Sequence, residues 1–387
     1  MTKLGISGLC FCAVACSRSP EVAKPKHTSL ALVSLDQKMH WTEEKGMVPR
    51  GPGSDSVLLL DLGNPATPRI ASQVALANSV IGPPTNLKIA PGGQIALVAN
   101  SMQLQADGPG WKTVPFDGLH VLDLSTSPPH PVGVVKTGLQ PSGVAFAPDG
   151  KHAITANRAG RSISLLGIDG IRVTTLQTLP LDGEAADVAF TPDGKRALIS
   201  LNDSAAVQIV LLEGDSASVG ARVAVGPFPY SIVVVPGGVI ALAGEMGNKS
   251  GGDGIDDAVS VIDLSVEPPV VIQTLVVGDG PEGLAVSADG KLAVAVAIRG
   301  GNSAAASGYY HKNAVAVGIA IDGKSLRRLN QVEVGVLGEG VVFGPDGRHV
   351  YVANFLGSDL SVLRFDGETL VDTGHRLVLP GQPASMQ

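Results

Sequence analysis

The sequence predicts an all-β protein, specifically a seven-bladed β-propeller with four antiparallel strands in each blade. Turns of the type Pro-Asp-Gly recur along the chain, and four short β-rich runs accompany each turn. Four strands at a period of about 40–50 residues is the spacing of propeller blades. With 49 Gly, 27 Pro and only 16% charged residues, the composition favours frequent turns over long helices.

The repeat is clearest where Gly-Val-Ala-Phe at 143–146 leads into Pro-Asp-Gly at 148–150 and Ile-Thr-Ala-Asn at 154–157. Proline presets φ and glycine accepts a positive φ, so this tripeptide favours a tight turn between two strands. Two further close copies turn at 192–194 and 345–347, and looser copies turn at 91–93, 236–238 and 288–290. The six turns predict six pairs of first and second strands.

The number of blades follows from counting the other strands. The second, third and fourth strands occur seven times, because an additional set lies at 29–33, 56–62 and 70–76. The C-terminal segment 380–386 aligns with 138–144, and we expect it to supply the missing first strand. The C-terminal strand would then close the ring and hide two sheet edges.

These motifs resemble the YVTN family of bacterial β-propellers. That family's unit runs roughly Gly-Val-Ala-Phe-Ser-Pro-Asp-Gly, then Tyr-Val-Ala-Asn, then a Ser-Val-Ile-Asp strand. This chain has Tyr-Val-Ala-Asn at 351–354 and Ser-Val-Ile-Asp at 260–263. The resemblance covers about 28–387 and implies the fold more than a function, because lactonases and streptogramin-type lyases share this architecture.

The N-terminus predicts export. Lys3 precedes an apolar run at 4–15, and Cys16 follows Ala-Val-Ala, which resembles a bacterial lipoprotein signal. We therefore expect a signal peptide at 1–15, an acylated Cys16 with a tether to residue 28, and the propeller at 29–387. The mature protein is expected in the periplasm or at the cell surface, touching the membrane only through its lipid anchor. Ordinary secretion and a cytosolic apolar tail are the alternatives.

Composition narrows the partners. The net charge of −7 and the lack of a Lys/Arg stripe argue against nucleic acid. All three cysteines lie in the first sixteen residues, so disulfides and cysteine-ligated metals are excluded from the propeller. A small molecule or a protein is the expected partner, and the chain is expected to act as a monomer.

The connections between second and third strands are unequal in length. They are long at 36–55, 101–117, 245–257 and 298–313, and short in the other blades. In a closed ring these four would form one wall at the channel mouth opposite the Pro-Asp-Gly turns. Long loops in a compact repeat protein are typical places for function.

Aligned repeats identify candidate acids at this mouth. We define the mouth position as the residue before the Gly-Val pair of each first strand; its occupants are Thr85, Ser142, Ala186, Tyr230, Glu282, Glu339 and Ala384. Glu282 and Glu339 fall on neighbouring blades. Glu245 occupies the strand-end position, the last residue of the second strand, where other units carry Asn100, Asn157 and Asn354.

Three converging carboxylates would need a cation, a basic side chain or a shared proton. Glu282, Glu339 and His311 are therefore the candidate catalytic residues, and Glu245 and Arg299 the candidate ligand-binding residues. For each glutamate the alternative is a solvated position on the rim.

The long loops carry further candidates for ligand binding. Tyr309, Tyr310, Trp41 and Trp111 are expected there, and aromatic side chains in converging loops suit an organic or sugar-like ligand. The two tyrosines would form a lid or merely pack the loop. A calcium or magnesium ion is a possible cofactor, and Asp253, Asp256 and Asp257 are its candidate ligands. A solvated glycine-rich loop is the alternative there.

Three functions remain open on these residues. The first is an exported propeller that binds a small molecule or a partner at one channel mouth. The second is a propeller enzyme of the lactonase or lyase type that uses carboxylates and a histidine, a hypothesis that rests on fold analogy. The third is a structural or adhesive surface protein. No motif for nucleophilic serine, phosphate-loop, zinc-protease or haem chemistry occurs.

Overall fold

A computed structural model describes residues 1–2, 29–79, 81–249 and 251–387. These residues form thirty β-strands and one short 3₁₀ turn, Asn202–Ser204. Seven four-stranded sheets form the blades of a propeller, and an eighth sheet is a two-stranded hairpin. The predicted lipidation site Cys16, the tether and all but two residues of the signal peptide lie outside the described residues.

The strands follow the blades in chain order. Blade 1 starts with β1 (Leu30–Leu35), β2 (Met39–Thr42), β3 (Gly46–Pro49), β4 (Ser56–Asp61) and β5 (Arg69–Ala75). Blades 2 and 3 contain β6 (Leu87–Ile89), β7 (Ile95–Asp107), β8 (Gly110–Asp123), β9 (His130–Lys136), β10 (Pro141–Phe146), β11 (His152–Asn157), β12 (Ser162–Asp169) and β13 (Arg172–Pro180). Blade 4 contains β14 (Ala185–Phe190), β15 (Arg196–Leu201), β16 (Ala206–Glu213) and β17 (Ser216–Ala224).

The remaining blades repeat this order. Blade 5 contains β18 (Pro229–Val234), β19 (Ile240–Glu245), β20 (Asp257–Asp263) and β21 (Val270–Gly278). Blade 6 contains β22 (Pro281–Val286), β23 (Leu292–Ala297), β24 (Asn313–Asp322) and β25 (Ser325–Val336). Blade 7 contains β26 (Gly338–Phe343), β27 (His349–Asn354), β28 (Asp359–Asp366) and β29 (Thr369–Val378), and β30 (Pro383–Met386) returns to blade 1.

The C-terminal strand closes the ring as predicted. Strand β30 pairs antiparallel with β1, with Val33 opposite Met386 and Ser34 opposite Ser385. Ala384 and Met386 are buried, so the strand also completes the packing between blades 1 and 7. The fold class predicted from the repeat is confirmed.

Burial decreases from the channel outwards. Second strands such as β23 and β27 are almost fully buried, because both faces of a blade pack against its neighbours. Fourth strands such as β21 alternate exposed and half-buried residues, because they form the outer wall. The core therefore consists of apolar layers between adjacent blades, and the first strands are left to line the central channel.

Two of the four predicted long loops are hairpins. The segment 36–55 contains β2 and β3, and strands β7 and β8 extend beyond their blade with Met102 opposite Pro115 and Asp107 opposite Gly110. Gly108, with a φ of 58°, makes this turn without the strain a side chain would cause. Within the described residues there is no helix long and apolar enough to span a membrane.

Candidate functional site

Irregular pairing at the start of the first strands turns the mouth positions towards the channel. In blades 3 to 7 the register between first and second strands shifts before the regular ladder begins. In blade 6, for example, Pro281 lies opposite Ala297 and Gly283 opposite Val296, which leaves Glu282 outside the ladder. A bulge of this kind bends the strand and redirects a side chain.

Three mouth-position side chains, Tyr230, Glu282 and Glu339, line one cavity of about 220 Å³, which we term the upper cavity. It lies among the long connections of blades 1, 5 and 6 and the short connections of blades 3 and 7. The other residues that line it are Asp36, Met39, Met47, Ile81, Gly82, Arg158, Phe228, Met246, Lys249, Gly251, Asn302, Leu337 and Phe355. The lining therefore combines five charged side chains with apolar ones.

Glu282 and Glu339 lie on adjoining strands that approach unusually closely. A Cβ atom on Gly283 would overlap with the carbonyl oxygen of Glu339, so β22 and β26 can lie this close only with glycine at that position. The Ser231 hydroxyl also donates a hydrogen bond to the backbone carbonyl of Glu282 from blade 5. The inner strands of blades 5 to 7 thus hold both carboxyl groups at one height in the channel.

Burial makes both carboxyl groups weak acids. Glu282 is only 8% exposed, and this burial raises its pKa to about 7, although the nearby Arg158 guanidinium opposes the shift. Burial also raises the pKa of Glu339 well above its usual range, and the charges of Glu282 and Asp36 add to the effect. Two interacting carboxyls of this kind lose their protons in separate steps. The pair therefore holds its protons more tightly than two exposed glutamates would.

Arg158 supplies the positive charge opposite the two glutamates. It follows the last residue of β11, and its guanidinium lies 5.7 Å from the ring centre of Phe228 and 5.9 Å from that of Tyr230. Its Nε atom lies 3.5 Å from Oε2 of Glu184. Burial raises the pKa of Tyr230 well above its usual range, so this phenol stays protonated as a hydrogen-bond donor.

Sequence reasoning missed three charged residues of the upper cavity, namely Arg158, Lys249 and Asp36. Arg158 had an available signal, because it directly follows a strand-end asparagine in one of the shortest connections. Asp36 is fully buried and lies close to Lys38, whose Nζ atom is 3.3 Å from Oδ1 of Asp36. Its position could not be foreseen, since the connection that follows β1 folds back as a hairpin.

The structure separates Glu245 from the two mouth glutamates. Oε1 of Glu245 accepts a hydrogen bond from the Gly226 amide at 2.8 Å and another from the Ser260 hydroxyl. Burial raises its pKa. A Cβ atom on Gly226 would overlap with the Glu245 carboxylate, so glycine is required opposite it. The side chain joins blade 5 to the end of blade 4 and does not line the upper cavity.

Asn354 shows that this is a recurring slot. Its Oδ1 accepts a hydrogen bond from the Gly335 amide at 2.9 Å, and its Nδ2 donates to the Ser361 hydroxyl at 2.9 Å. A Cβ atom on Gly335 would overlap with the Asn354 amide. Glu245 therefore occupies the same slot as the asparagines, with a carboxylate oxygen as the acceptor. Packing between blades therefore explains why the strand-end position carries a hydrogen-bond acceptor.

The hairpin of blade 1 and the long connection of blade 6 meet above blade 7. The rings of Trp41 and Tyr310 stack with centroids 5.4 Å apart, and Trp41 Nε1 donates to the carbonyl of Ser303 at 2.8 Å. The Met47 amide donates to the carbonyl of Asn302 at 3.0 Å. Met47 and Asn302 reach the upper cavity, whereas the two aromatic rings pack against each other.

The other candidate ligand-binding residues lie outside the lining of the upper cavity. Nη2 of Arg299 donates a hydrogen bond to Nδ1 of the candidate catalytic residue His311 at 3.0 Å, and this pair is at the surface. Tyr309 packs against Gly300 on the same loop. Trp111 lies on the projecting β7–β8 hairpin and is 38% exposed. Their predicted roles in binding stay predictions.

The acidic loop 245–257 uses its carboxylates to hold backbone amides. Asp253 Oδ1 accepts from the Ile255 amide at 2.9 Å, and Asp257 Oδ2 accepts from the Gly280 amide at 3.0 Å. Asp256 is exposed. Among the residues the structure describes, no group of three or more His, Cys, Asp or Glu side chains could hold a metal ion. The calcium or magnesium hypothesis stays a prediction without geometric support.

Comparisons with known proteins extend the fold assignment. No family model and no curated protein matches the sequence, so nothing assigns it to the YVTN family in particular. A Bacteroides fragilis protein proposed to be a 6-phosphogluconolactonase superposes with a TM-score of 0.69 at 16% identity, over 95% of this chain and 99% of that one. The periplasmic gluconolactonase PpgL of Pseudomonas aeruginosa gives 0.67 at 18% identity, over 93% and 98%.

A functionally unknown protein from Desulfotomaculum acetoxidans is equally similar, with a TM-score of 0.68 at 13% identity over 93% of this chain and 98% of that one. At these identities the likeness is one of fold. The chain is a seven-bladed propeller whose structural neighbours include lactonase-like propellers.

Proposed function

We propose that the protein is a lactonase that hydrolyses a neutral, hydroxylated lactone in the upper cavity. The observation that carries this proposal is that Glu282 and Glu339, two carboxyl groups with raised pKa values, line one cavity beside the Arg158 guanidinium. The fold shared with PpgL and the Bacteroides fragilis protein supports it as an analogy.

Glu282 is the general base. Arg158 favours its charged form, so it loses its proton before Glu339 does. Its carboxylate takes a proton from a water molecule as that water attacks the acyl carbon of the lactone. A base with a pKa near the working pH is both largely available and strong enough to act.

Glu339 is the general acid. When the tetrahedral intermediate collapses, the ring C–O bond breaks and Glu339 donates its proton to the departing alkoxide. The product is a hydroxy acid, which ionises and releases one proton to solvent. Transfer of the proton from Glu282 to Glu339 then restores the starting state. The close approach of β22 and β26 supports this exchange, because these two strands carry Glu282 and Glu339.

Arg158 and Tyr230 stabilise the negative oxygen of the tetrahedral intermediate. Both line the cavity, and each offers a hydrogen-bond donor that persists at neutral pH. The Phe228 and Tyr230 rings hold the guanidinium in place, which preorganises its charge for the transition state. An Arg in this setting also polarises the lactone carbonyl before attack.

Volume limits the substrate class. The cavity of about 220 Å³ suits a small lactone ring and leaves little room for an additional phosphate group. Met39 and Met47 supply apolar contacts at the rim. We therefore propose an unphosphorylated sugar lactone as the substrate.

The test is hydrolysis of five- and six-membered sugar lactones, with and without a phosphate group, followed by proton release. Glu282→Gln and Glu339→Gln should each lower kcat by about 10²–10⁴-fold, the usual contribution of a general acid or base. Glu245→Gln is the matched control, since it makes the same change in the slot between blades, and it should keep activity within about two-fold.

Other results would point to the other two functions. Binding of a sugar lactone without turnover by the wild-type protein would favour a binding propeller. Neither binding nor turnover of any lactone in the panel would contradict the proposal and favour a structural role. Preference for the phosphorylated lactones would overturn the substrate class but retain the reaction.

We also propose that the protein is exported as a lipoprotein. The basic Lys3, the apolar run at 4–15 and Cys16 support this, and PpgL is a periplasmic protein of the same fold. Cys16→Ser should release the protein from the membrane fraction, because the acyl chains would supply the anchor. Membrane association that survives this substitution would overturn lipid anchoring, and an intact Met1 on the mature protein would overturn signal cleavage.

A further inference from the structure

A second cavity of about 620 Å³, which we term the lower cavity, lies at the other end of the channel. It adjoins the turns that contain Pro91, Pro236 and Gly344. First strands from all seven blades contribute to its lining, through Lys88, Phe146, Val188, Ile232, Leu284, Val341 and Met386. A cavity of this volume, lined by apolar side chains together with several polar and charged ones, has the dimensions of a small-molecule site.

One position of the repeat stands out in this cavity. Two residues after the first residue of the Gly-Val pair, the other blades carry Ala145, Ala189, Val233, Ala285, Val342 and Gln387. Blade 2 carries Lys88 instead. The channel wall at this level is thus neutral in six blades and positively charged in one.

The charge of Lys88 is poorly compensated. Burial lowers its pKa, and the negative charge of Asp187 opposes that shift from a distance. Within the described part of the chain, the Lys88 ammonium forms no ion pair within 4.0 Å. Asp187 is 2% exposed, and its Oδ2 accepts from the Ile232 amide at 2.9 Å, which fixes the carboxylate in the wall. Asp187 also lines the cavity, but no ion pair joins it to Lys88, so this half-buried cation is left without a contact partner of opposite charge.

We infer that the lower cavity binds a hydrophobic monocarboxylate, whose carboxylate pairs with the Lys88 ammonium and whose apolar body lies along the channel wall. Phe146, Phe190, Ile232 and Val286 are among the residues that line the cavity and would contact that body. The carboxylate of the ligand would pair with the Lys88 ammonium, and its apolar body would cover the apolar side chains of the wall.

This site is separate from the proposed lactonase site. The residues that line the two cavities do not overlap, and hydrogen bonds join neighbouring first strands around the channel. Ser231 donates to the carbonyl of Glu282, and the Val144 amide donates to the carbonyl of Thr85 at 3.2 Å. Gly143 lies so close to Asp187 that a Cβ atom there would come within 2.5 Å of its Oδ1. The inference therefore does not rest on the proposed function.

Three probes of one shape and different charge test the inference by isothermal titration calorimetry. They are 3-phenylpropionate, 3-phenylpropanol and 3-phenylpropylamine. The wild-type protein should bind the anion at least about ten-fold more tightly than the alcohol, because a charge-assisted hydrogen bond to a lysine contributes that much. The amine should bind most weakly.

Variants assign the preference to one side chain. Lys88→Met should lower the affinity for the anion to that for the alcohol and leave the alcohol unchanged, whereas Lys88→Arg should retain the preference. Lys195→Met, at an exposed lysine beside a neighbouring turn, is the matched control and should change nothing. Glu282→Gln should also leave binding unchanged, which separates this result from the lactonase test.

The melting temperature of each variant shows whether it is folded, and methionine retains most of the lysine's apolar stem. Three results would overturn the inference: equal affinity of the wild-type protein for anion and alcohol, a preference for the anion that survives Lys88→Met, or no binding of any probe at millimolar concentration.

Discussion

The mouth position and the strand-end position both carry glutamate where other blades carry neutral residues, yet the surroundings of these glutamates differ. Glu282 and Glu339, at the mouth position, line the upper cavity beside Arg158, and both have raised pKa values. Glu245, at the strand-end position, accepts hydrogen bonds from the Gly226 amide and Ser260. A glutamate at the mouth position therefore lines a cavity, whereas a glutamate at the strand-end position makes a structural contact between blades.

The difference lies in what surrounds each position. The strand-end slot is closed by a glycine and a serine of fixed spacing, and any acceptor of suitable length fills it. Glu282 and Glu339 occupy no such slot, because the bulge at the start of their strands turns each side chain towards the upper cavity. An unusual residue in a repeat indicates function when its position faces a cavity.

The largest expected effect tests whether the ring that carries the mouth positions is held closed by the C-terminal strand β30. Deletion of 380–387 removes β30, and with it the burial of Ala384 and Met386 and the ladder to β1. We expect the free energy of unfolding to fall by about 5 kcal/mol or more, from lost apolar burial and lost hydrogen bonds. Urea denaturation would measure it.

Val378→Ser is the control for this deletion, because Val378 is 74% exposed at the end of β29 and should matter by less than about 0.5 kcal/mol. A truncated protein as stable as the full-length chain would contradict closure by β30.

The next effect tests Arg158, which the repeat alignment did not identify as a residue of the upper cavity. Arg158→Met should lower kcat for lactone hydrolysis by about 10²–10³-fold, because it removes the charge that stabilises the oxyanion. Arg161→Met, three residues further along the same connection and exposed, is the matched control. Steady-state kinetics would decide, and an equal loss in both variants would show that Arg158 acts only on the shape of the connection.

A smaller effect concerns pH and distinguishes the mouth from the slot. The pKa of Glu282 is about 7 in the folded protein, above the value near 4.5 of an exposed glutamate. The folded state therefore binds this proton more tightly than the unfolded state does. The resulting contribution to the free energy of unfolding is full below pH 4.5 and is lost as the pH rises through 7. The loss should approach roughly 3 kcal/mol.

Glu282→Gln should remove this dependence and melt higher than the wild-type protein at pH 8, with little difference at pH 5. Melting temperatures measured between pH 5 and 8.5 provide the test. A wild-type profile that is flat over this interval would show that Glu282 is solvated.

The smallest effects are expected at the strand-end slot. Glu245→Gln retains an acceptor for the Gly226 amide and should change stability by less than about 1 kcal/mol. Glu245→Ala leaves that amide without a partner and should cost about 1–3 kcal/mol. Chemical denaturation would separate the two, and equal stability of both variants would contradict the hydrogen-bonded slot.

The sequence by itself determined the architecture. Turn chemistry and strand spacing are local signals that the blades repeat, and the segment 380–386 matches 138–144. Seven blades and C-terminal closure therefore follow from the sequence alone. The pairing of Glu282 with Glu339 was also predictable, because equivalent positions of a closed ring face the same mouth.

Only the tertiary structure decided which other groups share that mouth. Arg158 belongs to blade 3 and Asp36 to blade 1, and their distances to Glu282 depend on how seven blades curve around one channel. The projecting β2–β3 and β7–β8 hairpins, the slot around Glu245 and the uncompensated Lys88 depend likewise on contacts between blades. The sequence of a repeat specifies the strands of its own blade. The cavities and the contacts between blades form only when all the blades pack into a closed ring.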